Sequence, residues 1–289
     1  MHRREALKLL FASSCAVMGA PFTNASMAGA KRKDSMPVIF LAHGSPLLLD
    51  DAPWVSELRR WAEAMPRPKA ILMLSAHWEQ KPIALSATHP VPLVYDFYGF
   101  PPKYYQVTYA APGAPNLASR VKDLLARVEP SAVQTERGLD HGAYVPLIAM
   151  YPKAEVPVLQ LSLPSLDART QFTLGQALAP LRDEGVLIVG SGFLTHNLRA
   201  LDLRPDPVTP SWARELDAWS TDVLMRRDVD ALLDYRNRAP GVREALPTHE
   251  HFVPVIAALG AAIGGADKVT FPITGFIAGS LTRRSVQFG

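Results

Sequence analysis

Eight histidines are spread through the 289-residue chain, and their placing relative to apolar runs is the most informative feature of the sequence. His43 directly follows Pro37 to Ala42 (PVIFLA), within Leu-Ala-His-Gly-Ser-Pro. His77 comes just after Ala70 to Ser75 (AILMLS), within Ser-Ala-His-Trp-Glu. His196 comes after Val186 to Val189 and the triplet Gly190-Ser191-Gly192. A lone histidine after a strand ordinarily caps it or hydrogen-bonds in the core; three such histidines weaken that reading, because ligands in open parallel sheets bind beyond the carboxyl ends of the strands. His141 lies in Leu-Asp-His-Gly, and His249 and His251 flank Glu250. Residues two apart on a helix face different sides, so at most one of His249 and His251 serves the same metal.

Imidazoles without thiolates suit Fe(II), Zn(II), Mn(II) or Cu(II), and ligand chemistry alone does not choose among them. Cys15 is the only cysteine, which excludes an intrachain disulfide framework and a thiolate-rich zinc site. An oxygenase would leave positions on Fe(II) open for substrate and dioxygen, whereas a hydrolase would use Zn(II) to acidify bound water. Other chemistries lack their motifs. There is no phosphate loop and no Gly-x-Ser-x-Gly elbow, and Thr195 stands where a dinucleotide fingerprint beginning at Gly190 needs its third glycine.

The elements that must position these histidines alternate short apolar runs with amphipathic stretches, which predicts an α/β fold: a single domain with a mainly parallel central sheet flanked by helices and the site at the strand C-terminal ends. Val156 to Leu161 is a fourth candidate central strand. Helices are predicted over Ala52 to Met65, capped by Asp50 or Asp51, and over Asn116 to Val128, Asp167 to Arg182, Ser211 to Arg226, Val229 to Asn237 and Glu250 to Ile263. Ser280 to Phe288 alternates as a half-exposed strand would. Prolines concentrate from Pro82 to Pro115, in an irregular excursion that also carries Tyr95, Phe97, Tyr98, Phe100, Tyr104 and Tyr105. Such a loop either walls a pocket for a flat substrate or packs its aromatics on the core.

The formal charge of +3 is not a property of the body of the chain. Of 30 basic and 27 acidic residues, six and two respectively lie at or before Asp34, leaving 24 against 25. A nucleic-acid partner is therefore not expected. Residues 1–30 read as a twin-arginine-type signal: Arg3-Arg4, then an apolar run from Leu9 to Ala20, then a small-residue stretch ending at Ala30. The run has 12 residues where a membrane span needs about 20, so no stable span is expected. The expectation is export through the corresponding machinery to the periplasm, with a cytoplasmic location as the alternative, and residues 31–289 as the catalytic domain. The sequence carries no signal for oligomeric state.

Six motifs occur in order across the presumed mature chain: His43-Gly44-Ser45-Pro46; Ser75-Ala76-His77-Trp78-Glu79; Tyr95-Asp96-Phe97 with Gly99-Phe100-Pro101; Gly138-Leu139-Asp140-His141-Gly142; Gly190-Ser191-Gly192 through His196-Asn197-Leu198; and Pro247-Thr248 through Glu250-His251-Phe252. Together they resemble the DOPA-type extradiol ring-opening dioxygenases of the class III extradiol superfamily, which is similar to the protocatechuate 4,5-dioxygenase β-subunit. The resemblance implies a mononuclear metal, Fe(II) for activity with Zn(II) as a bound alternative, and a small aromatic diol and O2 as the reactants. It casts His43, His77 and His251 as metal ligands, His196 as acid/base catalyst or additional ligand, and His141 as a second pocket histidine that contacts substrate. A zinc hydrolase or non-oxygenase metalloprotein on the same scaffold is the alternative. The chain departs from the pattern at His249, where proline is usual, and at Tyr144, where tryptophan is common; alignment on Glu-His-Phe favours His251 over His249 as the third ligand.

Overall fold

The computed structural model describes residues 35–264 and 268–289. The proposed signal and Cys15 lie outside the described residues. Ten strands are described: β1 (Val38–Ala42), β2 (Ala70–Glu79), β3 (Ala84–Leu85), β4 (Val133–Gln134), β5 (Val158–Leu163), β6 (Val186–Gly192), β7 (Val269–Ile273), β8 (Phe276–Ile277), β9 (Leu281–Thr282) and β10 (Ser285–Phe288). Eight form one sheet in the order β4-β3-β5-β2-β6-β1-β10-β7, and β8 and β9 pair separately. The centre, β5-β2-β6-β1, is parallel, and β10 and β7 add an antiparallel edge. The expected mainly parallel α/β architecture is thus present.

Because side chains alternate along a strand, each central strand feeds two cores. Val38, Phe40, Leu72, Leu74, Leu159, Leu161 and Ile188 enter one layer; Ile39, Leu41, Ile71, Met73, Val158, Leu187 and Val189 enter the other. Among the described residues nine α-helices cover these faces: α1 (Ala52–Ala64), α2 (Pro115–Leu125), α3 (His141–Met150), α4 (Ala168–Leu178), α5 (Ser211–Arg226), α6 (Val229–Leu233), α7 (Tyr235–Arg238), α8 (Val242–Ala245) and α9 (Val253–Ala262). The cores divide them, with α1 and α3 contributing to one layer and α2, α4, α5 and α9 to the other. Among the described residues no helix is long and apolar enough to cross a membrane.

Several expectations need correction. β2 runs on to Glu79, so His77 lies inside the last turns of a strand rather than after it. The stretch from Val229 to Asn237 is two short helices that meet at Asp234. The last helix begins at Val253, leaving His251 in the preceding turn. The region Ser280 to Phe288 is two strands, and β10 is largely buried because it sits between β1 and β7. At the front of α1, Asp51 rather than Asp50 is the cap, accepting from Trp54 N at 3.0 Å.

Candidate active site

His43 leaves the end of β1, and His77 leaves the end of β2 on the far side of β6. His141 is the first residue of α3, a helix capped by Asp140, whose carboxylate accepts from Ala143 N at 3.2 Å. His196 follows β6, and His251 sits in the turn before α9. These five imidazoles converge. Ring centroids are 4.9 Å apart for His43 and His77, 4.9 Å for His77 and His251, and 5.2 Å for His43 and His251. His141 lies 4.0 Å from His77, and His196 stacks face to face on His251 at 3.4 Å.

The turn carrying His251 reaches β6 because the strand is glycine at the contact. A Cβ on Gly192 would lie 2.0 Å from the His251 carbonyl oxygen, and one on Gly190 would lie 2.4 Å from that of Pro254. The Gly-Ser-Gly triplet is therefore a close-packing device, and Ser191 between its glycines touches His43. Phe193 N donates to the His251 carbonyl at 2.9 Å and locks the same contact.

Two rings have a hydrogen-bonded acceptor at Nδ1, and a third has a carboxylate oxygen close to it. The Ser191 hydroxyl donates to the Gly142 carbonyl at 2.5 Å, so its oxygen accepts from His43 Nδ1, 2.9 Å away. His251 Nδ1 donates to Glu250 Oε1 at 2.9 Å. His77 Nδ1 lies 3.3 Å from Asp96 Oδ2. An acceptor at Nδ1 fixes the proton there and leaves Nε2 as a bare lone pair. The Nε2 atoms of His43 and His77 then face each other at 3.1 Å, and buried His251 Nε2 has no hydrogen-bond partner among the described residues. Two lone pairs facing at this distance repel unless a cation lies between them. Nitrogens each about 2.1 Å from one ion, at a right angle, would be about 3 Å apart, so the donor set fits a metal.

Burial holds these rings neutral, as metal ligands must be. It lowers His77 to about 3, with His141 adding to the effect and Asp96 opposing it. His43 and His251 are likewise lowered by burial and then by neighbouring imidazoles. Burial lowers His196 to about 4, against the pull of Glu250. Nitrogens of His43, His77 and His141 lie within 4.8 Å of one another, as do the ligand atoms of His196, Glu250 and His251.

The two remaining described histidines stand apart. His249 Nδ1 pairs with the Tyr235 hydroxyl at 2.9 Å, and His89 pairs with Glu136 on the surface at 3.1 Å. Asp140 makes no bond to the ring of His141; it accepts from Ser75 Oγ at 2.8 Å and from Gln160. The ring partner of His141 is Asp96, at 2.7 Å. In the sequence Asp96, Ser191 and Glu250 stand out only as members of motifs, and nothing in their local spacing announces what they hold.

The proline-rich excursion does both things expected of it. Phe97 meets His141 edge-on at 5.7 Å and packs on Phe100 and Tyr105, walling the histidine cluster. Tyr104 and Tyr109 are buried, while Tyr98 is exposed. Beneath the excursion is a separate cavity of about 400 Å³ bordered by Tyr95, Tyr109, Arg137 and Leu139. Tyr144 is fully buried and packs against Tyr95 at 6.1 Å, so it acts on the pocket only through that wall.

A parallel sheet with an imidazole cluster at its strand ends defines a metal-dependent enzyme. Residues 37–279 match the family of the catalytic LigB subunit of aromatic ring-opening dioxygenase, and the chain belongs to that family. It is an extradiol-type dioxygenase, an oxidoreductase that uses a non-haem metal, an aromatic substrate and O2. The chain is 45% identical over 230 residues to a Beta vulgaris protein named 4,5-DOPA dioxygenase extradiol, covering 77% of this chain and 85% of that one. An Escherichia coli K12 protein of the same name is 37% identical over 259 residues, covering 88% and 95%. A crystal structure of an uncharacterized protein from Escherichia coli K12 superposes with a TM-score of 0.73 at 34% identity, covering 88% of this chain and 100% of that one.

Proposed function

We propose that this chain opens the ring of a DOPA-like catechol beside its diol, using Fe(II) held by Nε2 of His43, His77 and His251. The observation that carries the ligand set is the bare Nε2 geometry: two facing atoms 3.1 Å apart and a third, buried and unpartnered. When bound, the ion supplies a common binding point for the two catechol oxygens and dioxygen and lets electrons pass between them.

The chain's own residues supply the rest. His196, lowered to about 4, is neutral at pH 7 and takes a phenolic proton at its ring nitrogen, returning it to the substrate as the ring opens. His141, with Nδ1 committed to Asp96, turns Nε2 toward the pocket and accepts a hydrogen bond from the substrate. Phe97 lies edge-on to His141 and gives the flat ring a wall.

Zn(II), with His196 as an added ligand, is the second metal reading, supported by the closeness of His196 to His251 and Glu250. We also propose that residues 1–30 are removed on export to the periplasm, which N-terminal sequencing of periplasmic protein tests. The functional reading is tested by oxygen uptake over a catechol panel with anaerobically Fe(II)-loaded enzyme. Uptake with a visible-absorbing product is expected; tight Zn(II), no uptake with Fe(II) and no coloured product would overturn it.

A further inference from the structure

Asp96 belongs to no helix or strand, yet it is held in place from two sides. Val94, two residues before it, forms a bridge with Asp140, pinning this part of the excursion to the start of α3. One carboxylate oxygen, Oδ1, accepts from His141 Nδ1 at 2.7 Å and from the His141 main-chain N–H at 3.2 Å. The other, Oδ2, lies 3.3 Å from His77 Nδ1. An ionised carboxylate has about four acceptor sites on two oxygens, and this one divides them between two imidazoles. Burial pushes the Asp96 pKa up, but the hydrogen bond and charge of His141, with His77, outweigh it and leave it lowered.

We propose that Asp96 is a positioning residue shared by the candidate ligand His77 and the pocket residue His141, setting the ring tautomer of both and tying the aromatic wall to the metal site. The inference rests on reading His77 as a ligand. One carboxylate turns two bare Nε2 atoms inward, one toward the ion and one toward substrate. The next residue, Phe97, lies edge-on to His141, so substrate wall and ligand orientation share one anchor. Among the described residues neither His77 nor His141 has another carboxylate at Nδ1.

Asp96→Asn separates this role from bulk. Its amide oxygen can still accept from His141, but its NH2 group then faces His77 Nδ1, where two donors meet unless His77 moves its proton to Nε2. That is the atom the metal needs. Zn(II) affinity is read by competition with a chromophoric chelator, beside the thermal midpoint of the metal-free protein and ¹⁵N spectra of its imidazoles. The expected result for D96N is affinity weakened by about 10- to 100-fold, an unchanged midpoint and a His77 proton on Nε2, with D96E recovering part of the affinity. Zn(II) binding by D96N within about two-fold of wild type would overturn the proposal, since losing the hydrogen-bond partner of a metal-binding imidazole normally costs more than that. So would a wild-type spectrum with the proton of His77 or His141 on Nε2, a measurement that stands even if D96N does not fold. A wild-type chain that binds no Zn(II) or Fe(II) would instead overturn the ligand reading, leaving the tautomer spectra to judge Asp96.

Discussion

His43 and His77 stand at the ends of strands on either side of β6, whereas His196 and His251 sit in irregular chain beyond β6 and before α9. The first pair inherits its position from ladders: β1 pairs with β6 from Val38 to Ala42, and β2 with β6 from Ala70 to Ser75. The second pair depends on a few contacts, chiefly Phe193 N to the His251 carbonyl, His196 N to the Ala245 carbonyl at 2.8 Å, and the glycine face of β6. Within the ligand set, His43 is oriented by a neutral hydroxyl, whereas His77 and His251 each have a carboxylate beside Nδ1. A sheet end fixes an imidazole through cooperative backbone pairing; a turn must fix it residue by residue.

The largest expected effect is on the strand half. His43→Ala removes a proposed ligand from the end of β1, a position fixed by the ladder to β6. It is expected to abolish stoichiometric Fe(II) retention and to lower kcat/KM by at least about 10³-fold, since several kcal/mol of charge stabilisation goes with the ion. Metal analysis and steady-state kinetics check this, and retention of stoichiometric iron would remove His43 from the ligand set.

Gly192→Ala attacks the turn half through its backbone. The added methyl would lie 2.0 Å from the His251 carbonyl oxygen, so the turn must move. A cost of about 1–3 kcal/mol is expected, seen as a thermal midpoint several degrees lower, with weaker metal retention. An unchanged midpoint would mean that the turn is looser than the comparison holds.

Glu250→Gln is the smallest test. The amide keeps an acceptor for His251 Nδ1 and removes only the charge, so Zn(II) affinity in a chelator competition should fall less than about 10-fold, the low end of such losses. A greater fall would show that the turn half relies on charge rather than on hydrogen-bond direction.

Much of the strand half was legible in the sequence because it is local. A short apolar run followed by histidine marks both β1 and β2, and α5 occupies Ser211–Arg226 as its periodicity predicts. α3 left no such trace: it is buried nearly all round and contains Pro146, so it has neither a polar face nor an uninterrupted helical pattern. The residues that orient the histidines were hidden for another reason. Asp96 meets His141 across 45 positions and Ser191 meets His43 across 148, distances over which no spacing rule operates. The proline-rich excursion could be recognised as irregular, but its division between wall and core depends on packing against α3.

The central claim is that Nε2 of His43, His77 and His251 converge on one ion. An anomalous-scattering map of anaerobically Fe(II)-loaded crystals tests it most directly. A single iron peak about 2.1 Å from those three nitrogens is expected, with His141 outside bonding distance. A peak bound by His141 in place of His251, or iron held away from the facing pair of His43 and His77, would contradict it.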